Sequence, residues 1–120
     1  MTQEDKELLL KDLCARLPYG VKVQDELGRT NKLVIGNADL NRLYYNDFSI
    51  YSEEKLSLPY LRPMSSMTEE QKSQYNFYLT RIVFAYDASL LIDWLHKNHF
   101  DYRGLIKKGL AIDATNLNIY

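Results

Sequence analysis

Leu17-Pro18-Tyr19-Gly20-Val21-Lys22-Val23-Gln24 is the stretch in which the spacing of the apolar residues changes. Upstream of it, apolar residues recur every three or four positions, as on one face of a helix. Pro18 and Gly20 are residues that end helices. Downstream, Val21 and Val23 alternate with polar residues, which is typical of a strand with one solvated face. We therefore predict that a helix ends here and that residues 19–24 form a strand.

The predicted N-terminal helix covers about residues 3–16. Thr2 and Asp5 have the spacing of a capping box, with the shorter acid in the reciprocal position. The apolar stripe contains Leu9, Leu10, Leu13, Cys14 and Leu17. Because Cys14 lies on this stripe, we expect a small, unreactive core residue rather than a nucleophile.

A series of short strands is predicted to follow. The polar residues 25–31 indicate a hairpin connection to a second strand over 32–36. Residues 40–51 are rich in Leu, Tyr, Phe and Ile, which favours β structure. The alternation over 56–60 predicts one more strand, which belongs at an edge of the sheet or ends early, because Pro59 has no backbone N–H to donate.

The last third of the chain is predicted to be helical. Thr68-Glu69-Glu70-Gln71 is a capping box that begins a helix, whose stripe runs through Tyr75, Tyr78, Leu79, Ile82, Val83 and Tyr86. Asp87 is expected to cap a second helix, and Asp101 a short third one that ends at Gly109. The connections between strands look too short for crossover helices. We therefore predict one α+β domain over 1–120, with a small twisted antiparallel sheet, open or barrel-like, an N-terminal helix and two or three C-terminal helices.

Composition excludes several classes of protein. The chain has 15 basic and 16 acidic residues, which argues against non-specific nucleic-acid binding. Its single Cys cannot close an intramolecular disulfide, and its acidic N-terminus does not resemble a secretory signal. Its longest apolar runs are far shorter than the roughly 20 residues of a membrane span. We expect a cytoplasmic protein without a membrane segment.

Tyrosine is the unusual feature of the composition, at ten residues. Tyr44, Tyr45, Tyr51 and Tyr60 all fall in the predicted strands, where neighbouring residues point to opposite faces. Tyrosine suits interfaces, because its ring packs while its hydroxyl reaches a partner. Since the common catalytic motifs and any cofactor motif are absent, we predict a non-catalytic protein that binds a protein partner or itself through these four tyrosines, with no cofactor.

Two other functions remain open. Asp93, His96, His99 and Asp101 have side chains that bind zinc or iron, which would suit a small metal-dependent hydrolase or nuclease. However, a spacing of three drifts around a helix, so we expect no metal site from these four. Arg103, Lys107 and Lys108 could hold phosphates while exposed tyrosines stack on bases, as in single-strand binders.

Three stretches resemble an uncharacterised family of small proteins from gut anaerobic bacteria and their phages or prophages. They are Leu13–Val23, Pro63–Gln71 and Leu91–Ala111, and together they cover about a third of the chain. The resemblance implies an intracellular protein of mobile-element origin. It implies no activity and no catalytic residues.

Overall fold

The computed structural model describes residues 2–24, 28–32 and 58–120. In chain order these contain α1 (Gln3–Arg16), a 3-10 turn (Leu17–Tyr19), β1 (Lys22–Gln24), β2 (Thr30–Lys32), β3 (Tyr60–Pro63), a second 3-10 turn (Met64–Ser66), α2 (Glu69–Leu79), α3 (Ala85–Lys97), β4 (Phe100–Asp101) and β5 (Ile112–Asp113). The predicted strand over 40–51 lies outside the described residues.

The first helix has the predicted bounds, and the reason is its capping. Thr2 Oγ1 accepts from the Asp5 amide at 3.1 Å, and Asp5 Oδ2 accepts from the Thr2 amide at 3.2 Å. The helix gives way to the 3-10 turn, which ends at Gly20 in the left-handed conformation with φ 71°. Only glycine adopts this conformation without a steric penalty, so the chain can reverse into β1.

The first two strands form an antiparallel hairpin, as predicted, but β2 is Thr30–Lys32, whereas the second strand was predicted over 32–36, of which 33–36 lie outside the described residues. Lys22 lies opposite Lys32 and Gln24 lies opposite Thr30. Val23 also forms an antiparallel bridge with Pro59, which connects this hairpin to the start of β3.

The main sheet contradicts the prediction of an antiparallel, barrel-like sheet. It has three strands in the order β4-β3-β5, and both neighbours run parallel to β3. The sheet is open. The strand that follows Pro59 is β3, and it is the central strand of the sheet, not an edge strand. Pro59 lies just before β3 and contributes only its carbonyl group, which accepts from Ile112 N at 2.8 Å.

The two C-terminal helices explain why the sheet is parallel. Helices α2 and α3 are the crossover between β3 and β4, and a turn over 102–111 leads on to β5. Strands of two residues show no periodicity, so β4 and β5 were not predicted. Asp101 accepts from the amides of Leu105 and Ile106, as a cap would, but the segment is a turn rather than the predicted helix.

The core consists of two clusters, of which only the second contains residues of these helices. One cluster of buried residues lies around Leu61 and contains Val21, Leu105, Leu110 and Ala111, and a second contains Met67, Leu91, Leu95 and Phe100. Within the described ranges, every helix is too short or too polar to cross a membrane.

Candidate functional site

The turn between α2 and α3 carries a group of exposed apolar side chains. Helix α2 ends at Leu79, well before the end of the predicted stripe, so the residues that follow it are not buried. Val83, Phe84 and Tyr86 are 74%, 73% and 71% exposed. We define the hairpin-turn surface as these three residues with Phe77, Leu79 and Ile82.

Hydrogen bonds fix the turn on both sides. Thr80 donates from its amide to Asn76 O at 3.0 Å and from Oγ1 to the same oxygen at 2.8 Å. Asp87 Oδ2 accepts from the amides of Phe84 and Val83, at 2.9 and 3.1 Å. These bonds lower the pKa of Asp87, that of Phe84 contributing most. Asp87 thus caps α3 from within the first turn of the helix, whereas it was predicted to cap the helix from the position before it. These hydrogen bonds hold the backbone of the turn that carries the exposed apolar side chains.

The hairpin-turn surface is comparable in area to the largest apolar patch of a typical monomer. An aromatic side chain can bury about 150–250 Å², so the exposed fractions of Phe77, Phe84 and Tyr86 together amount to about 400 Å². The largest apolar patch on a typical monomer is about 300–600 Å² and is often functional. Arg81 lies over the Phe77 ring, with its guanidinium carbon 3.9 Å from the ring centre.

A groove of about 570 Å³ lies between α2 and α3, beside this turn, and we call these two helices and their turn the helical hairpin. Phe77 and Tyr78 of α2 line one side, and Trp94 and Lys97 of α3 line the other. Trp94 is held in place, since Nε1 donates to Gln74 Oε1 at 3.2 Å and its ring stacks on Phe100 at 5.7 Å. The hairpin therefore presents a projecting apolar turn and an aromatic groove side by side.

The four tyrosines predicted to bind a partner are only partly placed. Tyr44, Tyr45 and Tyr51 lie outside the described residues. Tyr60 is in the central strand and only 6% exposed, so here its ring packs in the core. A binding role for the four stays a prediction.

The four residues of the possible metal site do not converge. Asp93 accepts from the Tyr19 hydroxyl at 3.0 Å, and the two carboxylate oxygens of Asp101 cap the turn after β4. His96 Nε2 lies 2.7 Å from the Tyr102 hydroxyl, whereas His99 stacks on the Tyr120 ring at 3.6 Å. Across the described ranges, no three His, Cys, Asp or Glu side chains are placed to hold a metal.

A buried ion pair on α1 was missed by the sequence analysis. Asp12 and Arg16 are both 0% exposed, whereas Cys14, predicted to be buried, is exposed. Burial raises the pKa of Asp12, and the charge of Arg16 opposes that shift. Asp12 and Arg16 have the (i, i+4) spacing of a helical ion pair, and this was the available signal.

The three cations considered for phosphate binding do not form one patch. Arg103 turns inward, with Nε 3.1 Å from Asp12 Oδ1 and Nη2 donating to the Tyr102 hydroxyl at 2.9 Å. Lys107 and Lys108 are exposed on the turn over 102–111.

Comparison with known proteins gives no further indication of function: no family model, no curated protein and no solved structure matches the chain.

Proposed function

We propose that the protein is a non-catalytic interaction module that associates with a second copy of itself through the hairpin-turn surface. The observation that carries this proposal is the set of apolar side chains, led by Val83 and Phe84, held in solvent on a hydrogen-bonded turn. Exposing such side chains costs free energy, because about 25 cal/mol is gained for each Å² of apolar area removed from water. A partner that covers them recovers that free energy.

The shape of the hairpin favours a second copy as the partner. A two-fold interface brings the same surface of both chains together, so each feature must meet a complementary feature of the same chain. Here the projecting turn of one copy meets the groove beside Phe77 and Trp94 of the other, and the reverse contact is equivalent. A standard interface buries about 800 Å² on each partner, and the three exposed aromatic residues supply about half of that.

The charges of the turn agree with this choice. Its two charged residues are Arg81, which lies over the Phe77 ring, and Asp87, whose carboxylate is used by the capping hydrogen bonds. These two charges are opposite and sum to zero, so the turn as a whole does not select a strongly acidic or basic partner. An apolar, nearly neutral surface is what one copy offers to another.

The experiment is a comparison of association states by size-exclusion chromatography with light scattering. We expect the wild-type chain to elute as a dimer and the double variant Val83→Asp, Phe84→Ser to elute as a monomer. Leu117→Asp is the matched control, because Leu117 is also exposed, at 46%, but is remote in sequence from the hairpin. A double variant that dimerises like the wild type would refute the proposal, as would a monomeric wild type that binds only a different protein.

Tyr44, Tyr45 and Tyr51 provide a second proposed contact, which keeps its own test. If each change to Ser leaves both the association state and the fold unchanged, these tyrosines are not part of the interface. The cytoplasmic location that we infer rests on the single Cys, which can form no disulfide within the chain.

A further inference from the structure

The groove between α2 and α3 has the size of a small-molecule site. Its volume of about 570 Å³ lies within the range of about 300–1,000 Å³ that is typical of ligand pockets. Its apolar walls are aromatic and consist of Phe77, Tyr78 and Trp94. Aromatic pairs in offset or edge-to-face arrangements gain more than their buried area alone provides, so this lining favours a flat aromatic ligand over a branched aliphatic one.

The aromatic walls are held in place before a ligand enters. Trp94 stacks on the buried Phe100 ring at a centroid distance of 5.7 Å, and its Nε1 donates to Gln74 Oε1 at 3.2 Å. Phe77 meets the Tyr78 ring edge-on at a centroid distance of 5.7 Å. A ligand that enters a preformed site loses less free energy to the ordering of side chains.

The polar groups of the groove suit a carboxylate. Among the described residues that line it, Lys97 is the only charged one, and the ion pairs of the described residues involve other cations. Gln74 uses its carbonyl oxygen to accept from Trp94, which leaves its NH₂ group to donate to a ligand. The single charge of Lys97 balances a carboxylate, whereas a phosphate group carries about 1.5 to 2 negative charges at pH 7.

We propose that this groove binds a small planar aromatic carboxylic acid, with its rings against Phe77 and Trp94 and its carboxylate at Lys97 and Gln74. The ligand also regulates association, and this consequence rests on the self-association proposed above. Because the ligand and the turn of a second copy occupy the same groove, each excludes the other. A ligand shifts an equilibrium towards the state that it binds better, so this one favours the monomer.

The site is tested on the variant Val83→Asp, Phe84→Ser, in which no second copy fills the groove. The probe is naphthoate, and its control is naphthamide, which has nearly the same shape but no charge. Chemical shifts of the backbone amides and of the Trp94 indole N–H are followed at constant ionic strength. We expect saturable shifts around Trp94 and about fivefold tighter binding of naphthoate than of naphthamide. No saturable shifts with naphthoate, or equal affinities for the two probes, would overturn the proposal.

A substitution at Lys97 tests where the carboxylate binds. Lys97→Gln, made in the same variant, should weaken the binding of naphthoate about fivefold and leave that of naphthamide unchanged. Lys72→Gln is the matched control, because Lys72 is an exposed cation of α2 that pairs with Glu69 at 3.2 Å and does not line the groove. It should leave both affinities unchanged. If Lys97→Gln still prefers naphthoate, the assignment of the site is wrong.

The effect on association is measured separately, by light scattering of the wild-type chain at a concentration where the dimer predominates. Added naphthoate should lower the mass towards that of one chain. A dimer that keeps its mass at a concentration of naphthoate that saturates the variant would overturn the regulatory step. The two proposals fail separately, because a wild-type chain that is always monomeric refutes self-association, whereas the titration of the variant still decides whether the site exists.

Discussion

Arg16 and Asp12 form an ion pair from which solvent is fully excluded, with Arg16 Nε 2.8 Å from Asp12 Oδ2. Arg16 Nη2 also donates to the main-chain oxygen of Phe100 at 2.6 Å, so this pair ties α1 to β4. Arg103 approaches the other carboxylate oxygen of Asp12 but lacks hydrogen-bond geometry there, so that contact is electrostatic. The pair therefore links the N-terminal helix to an outer strand of the main sheet.

Removing one partner of this pair should be strongly destabilising. Asp12→Ala leaves the Arg16 charge buried without compensation, which typically costs about 3–5 kcal/mol. Replacing both residues, as in Asp12→Leu with Arg16→Met, should cost less than Asp12→Ala alone. Urea denaturation of the three proteins measures the difference. If Asp12→Ala unfolds at the wild-type urea concentration, the ion pair does not stabilise the fold.

The stability should fall as the pH falls from about 6.5 towards 4. Burial lowers the pKa of both His96 and His99 to about 4, helped by the charge of Arg16 beside His96 and of Arg62 beside His99. In the unfolded chain both groups bind protons near pH 6.5. Between these values the unfolded state therefore binds up to two more protons, and stability is lost with a slope of up to about 2.7 kcal/mol per pH unit.

Urea denaturation at pH 7, 6 and 5 tests this pH dependence. Buried carboxylates also affect stability in acid, so the comparison that matters is with His96→Gln and His99→Gln. Each variant should reduce the difference in bound protons between the unfolded and folded states by about one, which lowers the slope by about 1.4 kcal/mol per pH unit. A slope that neither substitution changes would assign the acid sensitivity to other groups.

The hydroxyl of Tyr120 should stabilise the contact between β1 and β3. It donates to Tyr60 O at 2.6 Å and accepts from the Lys22 amide at 3.0 Å. Tyr120→Phe leaves both backbone groups without this partner, which costs about 1–3 kcal/mol. Thermal unfolding and hydrogen exchange of the Lys22 amide measure the loss. Tyr75→Phe is the matched control, because the Tyr75 ring packs near Trp94 while its hydroxyl forms no hydrogen bond with a described residue.

Tryptophan fluorescence should report the proposed association, because Trp94 is the one Trp of the chain and lines the groove. We expect its emission to shift to shorter wavelength as the protein concentration rises and the groove becomes covered. The monomeric variant Val83→Asp, Phe84→Ser should show no shift over the same concentrations. A shift of equal size in both proteins would mean that the groove is not at the interface.

The sequence predicted the parts of the fold that are encoded by short-range chemistry. The capping boxes at Thr2 and Thr68 each begin a helix, because the reciprocal hydrogen bonds involve residues only three positions apart. The β1–β2 hairpin was predicted from the polar, glycine-containing residues 25–31, although β2 begins at Thr30, within that predicted connection. The direction of the main sheet was not, because β4 and β5 contribute two residues each and are placed by long-range pairing with β3.

The candidate sites were harder to predict, because exposure depends on where an element ends. The stripe that continues from Tyr78 through Val83 and Tyr86 looks like the buried face of one helix, but α2 stops at Leu79 and the stripe is turned into solvent. This surface follows from tertiary structure that periodicity does not encode.

The measurement that tests the central claim most directly is the weight-average mass of the wild-type chain by sedimentation over a wide range of concentration. Self-association through the hairpin-turn surface predicts that the mass rises from 14.1 kDa to twice that value as concentration increases. It also predicts that Val83→Asp, Phe84→Ser stays at the mass of one chain throughout. A wild-type mass that stays at 14.1 kDa up to millimolar concentration would contradict the account.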